Sequence, residues 1–197
     1  MSDGTRRVGR PEATTHADIE AAAFCLFASH GFEHTTLTMI AAEVGVSRRT
    51  LFGYYASKND IPWGQFDRSL ARFRAVLEAM PEDIPLWDAV HRGVRAFNDF
   101  PADARPPHLE RMRLIFGTPA LQAHSALRYI EWRRVIASYV AGRTGASADA
   151  PLPALAGHVS LALALSAYDE WLRDPAQPLL GLIGTQMTLL RDYLALA

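Results

Sequence analysis

The sequence holds a single cysteine, Cys25, among its 197 residues. That excludes an intrachain disulfide or a cysteine-built metal site, and it suits a reducing compartment. Neither sign of charge is in excess: 20 Lys and Arg stand against 21 Asp and Glu, so overall charge does not announce nucleic acid. His16, His30, His34, His91, His108, His124 and His158 show no metal-ligand spacing with acids. There is no phosphate-binding glycine loop and no nucleophile motif. Neither an enzyme nor a metal or cofactor is expected. The opening MSDGTRRVGRPEATT lacks the apolar core of a signal peptide. Two uncharged stretches, 151–168 and 175–190, are marginal for a span of about 20 residues and carry Pro, His, Ser and Gln. The expectation is a cytoplasmic protein without a membrane segment.

What the chain does have is organised around residues 36–58, TLTMIAAEVGVSRRTLFGYYASK. Leu37, Ile40, Ala41 and Val44 recur at helical spacing after Thr36, an N-cap candidate. Gly45 reaches the left-handed conformation that a helix exit needs. Ser47 offers a second cap, and 48–55 reads as a helix of about two turns. Two short helices joined through a glycine turn predict a helix-turn-helix, whose second helix fits a DNA major groove. Up to Lys58 the basic residues are Arg6, Arg7, Arg10, Arg48, Arg49 and Lys58, confined to a leading arm and the segment around the second short helix. Local clustering of this kind makes a positive surface on a neutral protein. A preceding helix, about 15–30, carries Ile19, Ala22, Ala23, Leu26 and Phe27 as an apolar stripe and stops at Gly31.

The run AAEVGVSRRTLFGYYASK resembles the recognition segment of TetR-family transcriptional regulators, and IEAAAFCLFASHGF with Thr35 and Thr36 resembles that family's first helix and its exit. The likeness covers about residues 14–60. The stretch SKNDIPWGQFD is also similar to regulators associated with mycofactocin gene clusters. The resemblance implies an all-helical homodimer that binds operator DNA through its N-terminal domain and releases it when a small ligand enters the C-terminal domain. It implies DNA contacts at Thr50, Phe52, Gly53, Tyr54 and Lys58, and Thr36 is a further candidate DNA-binding residue. Phe52 stands where the family commonly has tyrosine, so readout leans on Arg48, Arg49 and Tyr54. A repressor is implied more than an activator.

The expected organisation is therefore a flexible basic arm over 1–13, a helix-turn-helix domain over 14–57, and an effector-binding and dimerisation domain over 58–197. A helix over 58–80 bears Phe66, Leu70, Phe73 and Leu77 on one face. Pro85 opens another, and Thr118-Pro119 reads as a cap followed by a first-turn proline. Phe73, Leu77, Phe97, Met112, Phe116, Trp132 and Tyr139 are candidate lining for a cavity between helices. Its apolar character suggests a hydrophobic effector, and the closer resemblance suggests an acyl-coenzyme A or related acyl compound. Val159, Ala162 and Ser166 on one late helix, with Leu180, Ile183, Met187, Leu190 and Leu194 on the last, form the expected dimer interface. The competing reading is an all-helical protein-interaction module whose helix-turn-helix reads no DNA.

Overall fold

The structure, a computed structural model, describes residues 14–196; the arm residues Arg6, Arg7 and Arg10 lie outside them. All regular structure among the described residues is helical, as the sequence predicts. The chain forms two compact units that divide between Ile61 and Pro62.

The first unit contains α1 (His16–His30), α2 (Leu37–Glu43) and α3 (Arg48–Phe52). Side-chain caps start all three helices. Thr15 and Asp18 form a reciprocal capping box on α1, Thr36 Oγ1 accepts from the Met39 amide, and Ser47 Oγ accepts from the Thr50 amide. Gly31 and Gly45, at φ of +80° and +69°, turn the chain out of α1 and α2. Ile19, Ala23, Phe24, Phe27, Phe32, Ile40, Ala41 and Leu51 make the core. Cys25 lies outside that core and is exposed.

A short 3-10 helix, Lys58–Trp63, follows. The continuous helix expected over 58–80 is broken: Pro62 lacks an amide hydrogen, Gly64 takes a φ of +59°, and α4 begins only at Phe66 (Phe66–Glu78).

The second unit continues with α5 (Leu86–Phe97), α6 (His108–Gly117), α7 (Pro119–Thr144), α8 (Pro151–Arg173) and α9 (Leu179–Ala195). Thr118 precedes Pro119 as expected, yet its side chain makes no capping bond; proline at the first position already removes one donor that a cap would serve. α7 is the central helix, packing on α4, α5, α6 and α8. It runs through Gly142 to a left-handed exit at Gly145. Where α7 crosses α8, Gly157 permits close approach: a Cβ there would lie 2.8 Å from the Arg133 carbonyl oxygen. α8 is long and apolar enough to cross a membrane by length and composition alone, but it is packed between α7 and α9.

The last two helices alter the expected interface. Ile183 and Met187 are each 1% exposed, buried inside their own chain, so neither can face a second copy. Ala162, Ser166 and Leu194 are exposed, and Val159, Leu180 and Leu190 are half-buried. Beside them Leu152, Leu155, Leu189 and Tyr193 are large apolar side chains left in solvent, which the sequence reading did not single out.

Candidate nucleic-acid interface

α3 has one buried residue, Leu51, and everything around it faces out: Arg48, Arg49, Thr50, Phe52 and Gly53 are exposed. Successive helical residues turn by about 100°. Opposite Leu51 therefore lie Arg49 and Gly53, with Arg48 and Phe52 on one flank and Thr50 on the other. Arg49 makes no hydrogen bond or ion pair among the described residues. Arg48 is different, because its guanidinium lies over the Phe52 ring, 5.4 Å from the centroid. The Thr50 hydroxyl is 2.8 Å from the capping Ser47 hydroxyl. Gly53 has ordinary helical φ and ψ; a Cβ there would lie 3.1 Å from the Thr50 carbonyl oxygen.

The scaffold behind α3 is tied by polar contacts across long stretches of chain. Tyr55 is buried and donates its hydroxyl to Glu20 Oε1 at 2.7 Å. Tyr54 donates its hydroxyl to the Thr14 carbonyl, and His16 packs edge-on against both Tyr54 and Tyr55. Glu20, although in the first turns of α1, lies inward, next to Ile19 and one turn before Phe24. Asp18 alone keeps the end position, and hydrogen bonds from Thr15 hold its carboxyl below the usual range.

Thr35 and Lys58 hold the turn after α1. The buried Thr35 hydroxyl donates to the Gly31 carbonyl at 2.9 Å, within reach of the Leu26 carbonyl as well. Lys58 Nζ donates to the carbonyls of Phe32 at 2.6 Å and Glu33 at 3.3 Å, and it lies 4.3 Å from the Phe32 ring centroid. The ammonium group thus supports the turn that leads to Thr36, which is exposed at the start of α2.

In the second unit the candidate cavity residues form two aromatic groups. Phe73 stacks on Trp132 at 5.4 Å and meets Phe97 at 5.0 Å, and Leu77 packs beside Gly93. Phe116 instead approaches Tyr168, in a group with His108, Phe100 and Trp171. Met112 is buried on the same helix as Phe116. The Tyr139 hydroxyl accepts from Arg143, which also grips the Glu82 and Ile84 carbonyls. Between Phe73 and Phe97 a small crevice of about 30 Å³ opens past Arg72.

A polar relay that the sequence did not reveal crosses the second group. Tyr168 donates to Asn98 Oδ1 at 2.8 Å, so the His108 Nε2 at 2.7 Å from the same hydroxyl is the protonated nitrogen. Burial, helped by the Arg111 charge, pushes His108 down to about 3, and burial raises the Tyr168 phenol. No cluster of acids, histidines or cysteines suited to a metal occurs among the described residues.

A helix-turn-helix with its second helix bare, on a chain with a separate helical bundle, defines a class of DNA-binding regulator. The sequence profiles agree: residues 19–61 match the bacterial regulatory proteins of the tetR family, and residues 84–195 match the MftR C-terminal domain. The chain belongs to the TetR family of transcriptional regulators, in its MftR branch. It is 44% identical to a Mycobacterium tuberculosis protein named for mycofactocin biosynthesis regulation, MftR, over 90% of each chain. Among solved structures, Thermus thermophilus FadR in complex with lauroyl-CoA shares the fold at a TM-score of 0.58 and 22% identity, covering 89% of this chain and 93% of that one. SmeT, the repressor of a Stenotrophomonas maltophilia multidrug efflux pump, does so at 0.58 and 18%, covering 88% and 87%.

Proposed function

We infer that this protein is a ligand-responsive repressor that binds a pseudo-palindromic operator as a homodimer in the cytoplasm and leaves it when a hydrophobic or acyl-type molecule, such as an acyl-coenzyme A, occupies the second unit. The observation that carries the reading is the exposure of Arg48 and Arg49 on a short capped helix whose one buried residue, Leu51, anchors it in the core of the three-helix unit. Arg49, pointing away from Leu51, reaches base edges, where a bidentate contact to guanine is worth about 1–3 kcal/mol of discrimination. Thr36, Thr50 and Tyr54 lie beside the phosphate path, and Gly53 lets the backbone approach. The arm residues Arg6, Arg7 and Arg10 belong to this site as minor-groove or phosphate contacts. Lys58 adds charge near the first turn of α2 while its hydrogens hold the turn in place.

Dimerisation uses the outer stripe of α8, where Leu152, Leu155, Val159, Ala162 and Ser166 recur at spacings of three and four, together with Leu189 and Tyr193 of α9. Their exposed apolar area supports this choice over Ile183 and Met187. The aromatic groups around Trp132 and Tyr168 support an apolar effector in the second unit.

The experiment is selection of bound sequences from random duplex DNA, followed by salt titration of the winning site and addition of acyl-coenzyme A. An inverted repeat, affinity falling steeply with salt, and release by the acyl compound are the expected results. No enriched site would leave the interaction-module account in its place.

A further inference from the structure

Phe52 is 44% exposed on the helix that presents Arg48 and Arg49, and it carries no hydroxyl for a phosphate. In a major groove the apolar group available to such a ring is the thymine C5-methyl. Arg48 lies one helical turn earlier, with its guanidinium over the ring. Residues four apart on a helix have Cβ atoms about 5–6 Å apart, a span that fits neighbouring base pairs at a rise of about 3.4 Å. A guanidinium held over a ring in this way spends none of its N–H donors on the contact and keeps them for acceptors such as guanine O6 and N7.

Resting on the DNA-binding reading above, we propose that Phe52 and Arg48 form one specificity unit that reads a thymine beside a guanine. Phe52 packs on the thymine methyl, and Arg48, held against the ring, donates to the adjacent guanine. Phe52 is then a base-selecting residue, and it also limits the rotamers that Arg48 samples before binding. Arg49 has no ring beneath it and reads independently.

The test uses the selected operator, full-length protein and single-atom changes in the DNA. Each thymine of a half-site is replaced in turn by deoxyuridine, which removes only the methyl, and each guanine by 7-deazaguanosine, which removes only the N7 acceptor. Affinities are measured for the wild type, Phe52→Ala, Phe52→Tyr and Arg48→Ala. One deoxyuridine position is expected to weaken wild-type binding about fourfold, the worth of one buried carbon group of about 0.8 kcal/mol. Phe52→Tyr should keep that penalty and Phe52→Ala should lose it. The 7-deazaguanosine next to it should weaken the wild type about tenfold and leave Arg48→Ala unaffected. Because both side chains are exposed, all variants should melt with the wild type, and the melts are recorded with the titrations. A specific site bound by the wild type with a deoxyuridine penalty that persists in Phe52→Ala, or with no such position, overturns the pair while leaving operator binding intact. Failure of the wild type to select any site overturns the operator reading itself.

Discussion

Tyr55, just beyond the reading helix, donates its hydroxyl to Glu20 of α1 across 2.7 Å, and both side chains are buried. The bond joins the first helix to the segment that follows α3, which also carries the ring contacts of Tyr54 and Tyr55 with His16. A hydrogen bond to a charged group contributes about 1.5–3 kcal/mol, and Tyr55→Phe removes it without changing the ring. The expected outcome is a loss of that size in urea unfolding of the first unit. Operator affinity, measured well below the melting temperature, should fall by less than Arg49→Ala causes. Unchanged stability would show that the bond carries no net free energy.

Lys58 and Arg49 should separate into different phenotypes. Lys58→Ala removes two bonds to the carbonyls of Phe32 and Glu33 and a contact with the Phe32 ring. It should lower unfolding free energy by about 1–3 kcal/mol. Arg49→Ala touches nothing in the fold and should leave stability within about 0.5 kcal/mol. It should instead relax base preference and lessen the slope of log affinity against log salt by about one unit. Equal losses for Arg49→Ala on specific and random DNA would remove its base-reading role.

These contrasts mark what the sequence could convey. The caps Thr36 and Ser47 and the exits Gly31 and Gly45 were legible because each acts within four residues of itself. The bonds of Tyr54 to Thr14, Tyr55 to Glu20 and Lys58 to Phe32 span tens of residues, and no local pattern encodes them. In α9 the spacing of Ile183 and Met187 correctly marked an apolar stripe, but periodicity cannot say whether the covering surface belongs to the same chain. The relay of His108, Tyr168 and Asn98 was hidden for the same reason.

That relay makes stability depend on pH. His108 is held at about 3 in the folded protein by burial and the Arg111 charge, against an ordinary 6.5 when unfolded. Below 6.5 the unfolded chain therefore binds a proton that the folded chain refuses. The contribution is fully present above pH 6.5 and is lost as pH falls toward 3, at up to about 1.4 kcal/mol per pH unit. Burial also lowers His91, with the same sign. Urea unfolding of wild type and His108→Gln at pH 7.5, 6 and 5 should show a difference that narrows or reverses as pH falls. Parallel curves would mean that His108 is protonated alike in both states.

Two glycines in the long helices should respond oppositely to alanine. At Gly157 a Cβ would sit 2.8 Å from the Arg133 carbonyl oxygen and 3.2 Å from its Cβ, and the helix backbone cannot give way cheaply. Gly157→Ala should cost about 1–3 kcal/mol by forcing α7 and α8 apart. At Gly142, inside α7, nothing lies within 4 Å of a Cβ. Gly142→Ala should stabilise by up to about 1 kcal/mol through helix propensity alone. Melting of both variants in one buffer checks the pair.

The dimer surface proposed on α8 gives a prediction with its own control. Leu155 is 59% exposed on the outer stripe of α8, whereas Met187 is 1% exposed within the chain. If the stripe meets its copy across a two-fold axis, every substitution appears twice in one interface. Leu155→Glu then places two carboxylates in an apolar contact, and Ala162→Arg adds bulk and like charge at the same seam. Either change should convert the dimer to a monomer in light scattering while the helical signal and its melt persist. Operator binding should weaken with it, since two half-sites are no longer held at a fixed spacing. Met187→Ala should behave differently, lowering stability by about 2–5 kcal/mol as a core truncation before any effect on assembly. A Leu155→Glu protein that remains dimeric would move the interface away from this stripe.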